Sequence, residues 1–191
     1  ETMFPDKFDY VRSPENQDYI YTSRDLATLA GKRFHAKRNH ISKFYRTYTD
    51  TRFETLSDSN IPDALTVAKL WCAENDTDPE VSSEIMAIGE MCDLKDEYNV
   101  KGAVLYVDSK PVAMTLGSEI SPKVYDINFE KALREYDGVY AVINNEFAKT
   151  LTQYEYINRE EDMGLEGLKK SKLSYNPVII LDRWNAIPKK R

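Results

Sequence analysis

Residues 101–121 read KGAVLYVDSKPVAMTLGSEIS, and no other stretch restricts the fold so strongly. Two runs rich in Val, Leu, Ala and Met meet at DSKP, the pattern of an antiparallel β-hairpin. KVYDINFEKA, which follows from Lys123, alternates as a third strand does. After Gly138, VYAVINNEFAKTL has the periodicity of a helix, YEYIN that of a short strand, MGLEGLKKSKL that of a second helix, and PVIILDRW that of a last strand with Trp184 near its end. Upstream, FDYVR (8–12) and DYIYTS (18–23) read as strands joined by a turn at SPENQ, and RFETL (52–56) as another. Ser23 with Asp25 starts a short helix that Gly31 ends. Pro62 begins a helix through about Asn75, and a further helix carries Val81, Ile85, Ile88 and Cys92 on one face, completing a helical hairpin. The expectation is a mixed α/β fold. Without repeat, low-complexity tract or linker, all 191 residues are expected to form one domain.

Composition removes several classes of protein. The chain is 41% apolar and 12% aromatic, enough for a sizeable core. It has no apolar run long enough to cross a membrane, which predicts a soluble, cytoplasmic protein. Cys72 and Cys92 are too few for a disulfide framework and lack the companions of a zinc site, so both are expected to be buried thiols. A chain that opens on Glu1 reads as one module of something longer, with an N-terminal partner out of view.

Charge is distributed unevenly. The chain carries a formal net charge of -6, yet Lys32, Arg33, Lys37, Arg38, Lys43 and Arg46 fall within residues 31–46 beside His35 and His40, with no Asp or Glu among them. Phe34, Arg38, Ile41, Tyr45 and Tyr48 recur there at helical spacing and define one packed stripe. Six cations without local acids repel one another. Lys37, Arg38 and His40 are therefore candidates for binding a polyanion, with pairing to the chain's own acids as the alternative.

A meander followed by helix, strand, helix and strand resembles the GNAT-type acyltransferase fold, in which the strand after the meander splays from its neighbour and the opening receives the acyl donor. More closely, DYIYTSRDLATLAGKRFHAKRNHISKF, FEKALREYDGVYAVINNEFAK and INREEDMGLEGLKKSKLSYNP resemble the family named for the C-terminal domain of phosphatidylglycerol lysyltransferases, related to the Fem-type aminoacyltransferases. The likeness spans nearly the whole chain. Members often carry another GNAT-like half N-terminal to this one. The resemblance implies a mostly antiparallel sheet flanked by helices and an acyl- or aminoacyl-transferase whose donor is aminoacyl-tRNA or acyl-CoA and whose acceptor is an amine or hydroxyl.

Departures from the acetyltransferase pattern favour aminoacyl-tRNA. That branch cradles a pyrophosphate with Gln/Arg-x-x-Gly-x-Gly/Ala at the start of the helix after the meander, because small residues let backbone N–H groups approach phosphate. Arg134 and Gly138 are the matching residues here, but the spacing is one residue too long, Tyr140 replaces the second small residue, and Glu135 and Asp137 bring negative charge. Coenzyme A is disfavoured. The acetyltransferase tyrosine acid falls on Lys170. Lys172 and Tyr175 instead match a Fem-type lysine and aromatic, which implies that Lys172 holds a phosphate or steadies an oxyanion. Glu119, on the second hairpin strand, is a candidate to take a proton from an incoming ammonium. Asn144 and Asn145 occupy a helix interior against their propensity and suggest polar partners. Two other classes stay open: a GNAT-shaped binding module without chemistry, and an RNA-binding protein using the basic helix alone.

Overall fold

The computed structural model describes residues 7–75 and 80–189. The chain divides into two compact units, residues 22–157 and residues 1–21 with 158–191. The first contains helices α1 (Ser23–Thr28), α2 (His35–Thr47), α3 (Ile61–Glu74), α4 (Glu80–Asp93) and α5 (Val139–Lys149), with strands β3 (Thr51–Thr55), β4 (Lys101–Val107), β5 (Lys110–Ser121) and β6 (Val124–Ala132). Strand β7 (Tyr156–Asn158) closes it, and the strands lie in the order β3-β4-β5-β6-β7. The second unit holds β1 (Phe8–Arg12), β2 (Asp18–Thr22), α6 (Glu166–Leu173), β8 (Ile179–Leu181) and β9 (Trp184–Pro188). There β1 pairs with β9 and β2 with β8. These pairs and those joining β3 to β4, β5 and β6 are all antiparallel. The architecture is the expected one, mixed α/β with a mostly antiparallel sheet flanked by helices.

The β4–β5 hairpin turns at Asp108 and Ser109, whose φ angles of 48° and 61° make a two-residue turn matching the twist of its strands. Its runs are apolar throughout because both faces are covered. Val104, Tyr106, Met114 and Leu116 pack with Ala64, Val67 and Ala68 of α3 and Ile88 and Cys92 of α4. Ala103, Leu105, Val107 and Ala113 alternate with these and face α5. Full burial of each large side chain contributes about 1.5–3 kcal/mol, so the hairpin anchors the unit. Cys72 and Cys92 are free and buried, as expected, and burial pushes the Cys92 thiol up to about 11.

Helix α1 shows how the α5 side is tied together. Thr22 caps its start by accepting from the Asp25 N–H at 3.1 Å. At its end, Asn145 donates Nδ2 to the Leu26 and Ala27 carbonyls at 2.7 and 2.9 Å, while Arg38 donates to the Leu29 and Gly31 carbonyls. Carbonyls that no helical N–H can reach are thereby satisfied from α5 and α2.

Two expectations need correction. PVIILDRW is not one strand: β8 ends at Leu181, and Trp184 begins β9 instead of closing the last strand. Asp182 and Arg183 face different partners, Arg12 and Asp18, and the chain turns between them. Of the expected stripe only Phe34, which precedes α2, is fully buried; within α2 the buried residue is Phe44, whereas Tyr45 is 39% exposed. Its hydroxyl reaches Glu146 at 3.2 Å along the rim of α5. A 3-10 turn at Lys32–Phe34 precedes α2, so the helical phase starts later than an uninterrupted count implies. In α4, Ile88 and Cys92 are buried and Ile85 is half-buried; the side chain of Val81 lies outside the described residues.

Candidate active site

Helix α2 comes close to the turn leading into α5. A Cβ added to Gly138, which has a φ of 87°, would stand 2.9 Å from the His40 carbonyl oxygen and 3.5 Å from the Phe44 Cβ. Lys43 Nζ lies 2.6 Å from Asp137 Oδ2, and Tyr48 Oη donates to the Glu135 carbonyl at 3.4 Å. The ion pair holds the Asp137 carboxyl below its ordinary value and the Lys43 ammonium above its own. Where a pyrophosphate would approach backbone N–H groups, the chain presents a carbonyl oxygen and two acidic side chains. Arg134 is also engaged, its N–H with Glu74 at 3.2 Å and its guanidinium with Asn75.

Beyond that turn, β6 is paired with β7 along only part of its length. Glu155 and Tyr156, at the start of β7, both donate backbone N–H to the Lys123 carbonyl at 3.0 Å, beside the start of β6. Strand β7 has three residues against nine in β6, so it is too short to line the far part of β6, where Glu130 lies. Trp71 Nε1 of α3 donates to Tyr140 Oη of α5 at 2.9 Å. The Lys131 ammonium lies 3.7 Å from the Trp71 ring centroid, which sets this bond beside the end of β6. Burial, above all, raises the Tyr140 hydroxyl above its ordinary value. Asn144, on the same face of α5, is fully buried and donates Nδ2 to Glu130 Oε2 at 3.1 Å. Glu119 lies elsewhere, on the exposed end of β5, accepting from Tyr154 Oη at 2.8 Å.

In the second unit Lys172 and Tyr175 are together and buried, at 7% and 3% exposure. The Lys172 ammonium donates to the Glu161 carbonyl at 2.5 Å and to the Arg159 carbonyl, so it is no solvated helix-end lysine. Arg159 stacks over the Tyr175 ring at 4.8 Å, and Tyr21, edge-on to that ring, donates its hydroxyl to the Lys172 carbonyl at 2.9 Å. Tyr19 donates to Asp162 Oδ2 at 2.5 Å. Burial first, and then Asp162, push the Tyr19 hydroxyl up to about 12. A raised value means that the folded state favours the protonated phenol. Its contribution to stability is complete below pH 10, the value for an ordinary tyrosine, and disappears as pH rises toward 12. Denaturation midpoints between those values should fall with pH in the parent and fall less steeply in Tyr19→Phe; equal slopes would rule out this coupling.

Sequence reasoning pointed to Gly138, His40, Asn144 and Asn145, which the structure gathers around α5, and to Lys172 with Tyr175. It did not single out Glu130, Tyr140 and Trp71 at the opening, or Arg159, Asp162 and Tyr19 around Lys172. Arg159 and Asp162 lie in a segment with little periodicity, where positive φ values at Glu160 and Met163 fold the backbone toward the lysine. Of the six clustered cations, Arg33, Arg38 and Lys43 hold Asp25, the end of α1, and Asp137. Lys32 and Arg46 are exposed, and Lys37 is half-exposed. Among the described residues, no helix is long and apolar enough to cross a membrane.

A family model described as Phosphatidylglycerol lysyltransferase, C-terminal, matches residues 6–187. A conserved protein of unknown function from Bacteroides thetaiotaomicron VPI-5482 superposes with a TM-score of 0.93 at 41% identity, over 99% of this chain and 65% of that one. L-PGS from Bacillus licheniformis gives a TM-score of 0.68 at 14% identity, over 97% and 63%. A GCN5-related N-acetyltransferase from Kribbella flavida gives 0.53 at 11% identity, over 95% and 61%. The last two likenesses are of fold alone. The chain spans less than two thirds of each of these proteins.

Proposed function

Because this chain belongs to the phosphatidylglycerol lysyltransferase C-terminal family, we propose that it is an acyltransferase module that moves an aminoacyl group from tRNA to an amine or hydroxyl acceptor beside the free edge of β6. The observation that carries the choice of donor is the close approach of α2 to the α5 turn at Gly138. With the His40 carbonyl against Gly138 and Lys43 bound to Asp137, that turn is a poor pyrophosphate cradle, which argues against acyl-CoA. The exposed part of the basic helix supports a polyphosphate backbone as the alternative. In this reading Lys32, Lys37 and Arg46 supply long-range attraction, whereas Arg38, committed to the end of α1, keeps α2 in place.

The two kinds of cation should fail differently. Replacing Lys32, Lys37 and Arg46 by Gln is expected to weaken tRNA binding and to flatten the dependence of log affinity on log salt by about 0.7–0.9 for each phosphate that is no longer neutralised. Replacing Arg38 by Gln is expected to lower stability, because carbonyls at the end of α1 lose their donor. Filter binding across a salt series, with a denaturation curve for each variant, separates the two effects. An unchanged salt slope in the triple variant would remove nucleic acid from the proposal.

The same family membership leaves room for a module that binds without transferring. Commitment of the Lys172 ammonium to backbone carbonyls favours that second reading over one in which the lysine meets the reacting group.

A further inference from the structure

The face that β4 and β5 turn toward α5 is apolar, with Ala103, Leu105, Val107 and Ala113 all buried. Three polar side chains from three elements interrupt it near the free edge of β6. Thr115 of β5 stands directly opposite Glu130 of β6 in the antiparallel register, which brings their side chains out on one face. Asn144 of α5 joins them through its 3.1 Å bond to Glu130. Thr115 and Asn144 are both 0% exposed, and among the described residues Thr115 Oγ1 and Asn144 Oδ1 have no hydrogen-bond partner.

That pattern is costly to folding. A buried hydroxyl and a buried amide carbonyl with nothing to bind each destabilise the folded chain, and Val or Leu would fit the apolar surroundings better. Rotating the Asn144 amide gives no relief, since its Oδ1 would then face a carboxylate oxygen and two acceptors would meet. Glu130 is only half-buried, whereas Thr115 and Asn144 are fully buried, so the carboxylate is the member of the set within reach of solvent. The set is a carboxylate, an amide carbonyl and a hydroxyl, all able to accept. A primary ammonium matches it with one positive charge and three N–H donors. Among the described residues no group of three or more His, Cys, Asp or Glu gathers as a metal site would require, and one carboxylate with two neutral oxygens is a sparse set for a divalent cation.

We infer that Thr115, Glu130 and Asn144 form a subsite for a primary alkylammonium group of the substrate. The inference rests on the acyltransferase reading, in which the aminoacyl donor or an amine acceptor carries that group. Its position beside Tyr140 and the free edge of β6 is where the proposed transfer takes place.

Direct binding tests the subsite without any transfer assay. Norleucinamide, 6-aminohexanamide and hexanamide share one carbon skeleton and carry an ammonium at Cα, at the far end, and nowhere. Calorimetry on the intact protein is expected to show at least one ammonium-bearing amide binding tenfold or more tighter than hexanamide. Preference for norleucinamide would assign the group to an aminoacyl donor, and preference for 6-aminohexanamide to an amine remote from the carbonyl. Glu130→Gln, nearly isosteric, should abolish the preference. Thr115→Val should raise the melting temperature while weakening the ammonium-bearing probe and leaving hexanamide unchanged. This opposition of stability and affinity is an outcome that a merely structural threonine would not produce. Equal binding of all three amides, or a preference that survives both substitutions, overturns the subsite. Ammonium preference in a protein that transfers nothing would sink the acyltransferase reading and keep the subsite; transfer without ammonium preference would do the reverse.

Discussion

Gly117→Ala is expected to lower the stability of the folded chain by about 3–5 kcal/mol, the range of the most damaging single substitutions. The added methyl would stand 2.1 Å from the Asp126 carbonyl oxygen and 2.6 Å from the Tyr125 ring. Neither neighbour is free to move. Asp126 is paired with Ser118 across β5 and β6, where the register shifts between Leu116 and Gly117. Tyr125 is fully buried, accepts from the Lys101 N–H at 2.9 Å and donates to the Gly117 carbonyl at 2.5 Å. Relieving the clash therefore means parting two strands where their register shifts. Gly89→Ala is the matched control, because a Cβ there meets nothing within 4 Å and a helical Gly→Ala change stabilises by about 0.5–1 kcal/mol. Urea titrations of the two variants should move in opposite directions, and a Gly117→Ala midpoint equal to the parent's would mean that β5 and β6 are not packed this closely.

Lys172→Met should cost about 2–4 kcal/mol. Methionine keeps much of the stem's volume but removes the donors that serve the Arg159 and Glu161 carbonyls, and each buried carbonyl left without a partner costs about 1–3 kcal/mol. Loosening of the segment between Arg159 and Leu165 should follow, seen as faster amide exchange there than in β4 and β5. The chemical arm is separate. If the lysine also steadies an oxyanion, turnover per folded molecule falls on the order of tenfold to a thousandfold. A turnover within a factor of about three would leave Lys172 as the tie that its hydrogen bonds describe.

These two sites illustrate what a sequence carries and what it withholds. The hairpin, meander and closing elements were legible because apolar periodicity and turn residues are local properties. Adjacent asparagines in α5 drew notice through poor helix propensity, and both do bond to other elements, Asn145 to α1 and Asn144 to Glu130. Their division of labour was not legible. It depends on which flank of α5 meets α1 and which meets β6. Pairing of Thr115 with Glu130 was hidden for a similar reason, since a bulge between them and the strand ends shifts the register and strand alternation alone gives no cross-strand partner. Lys172 matched a family position, yet its burial is set by a loop whose positive φ values no periodicity announces. The split between β8 and β9 also escaped, because PVIILDRW is apolar enough to suit one strand.

The bond between Trp71 and Tyr140 gives the opening a natural optical label. The chain has two tryptophans, and they fall in different units: Trp71 in residues 22–157, and Trp184, 56% exposed, in the other. The Trp71 indole is bonded through Nε1 and has the Lys131 ammonium 3.7 Å from its ring centroid, surroundings that any ligand displacing Tyr140 would alter. With Trp184 replaced by Phe, the remaining indole emission comes from Trp71 alone, so occupancy beside α5 becomes readable as a change in tryptophan fluorescence without an extrinsic dye.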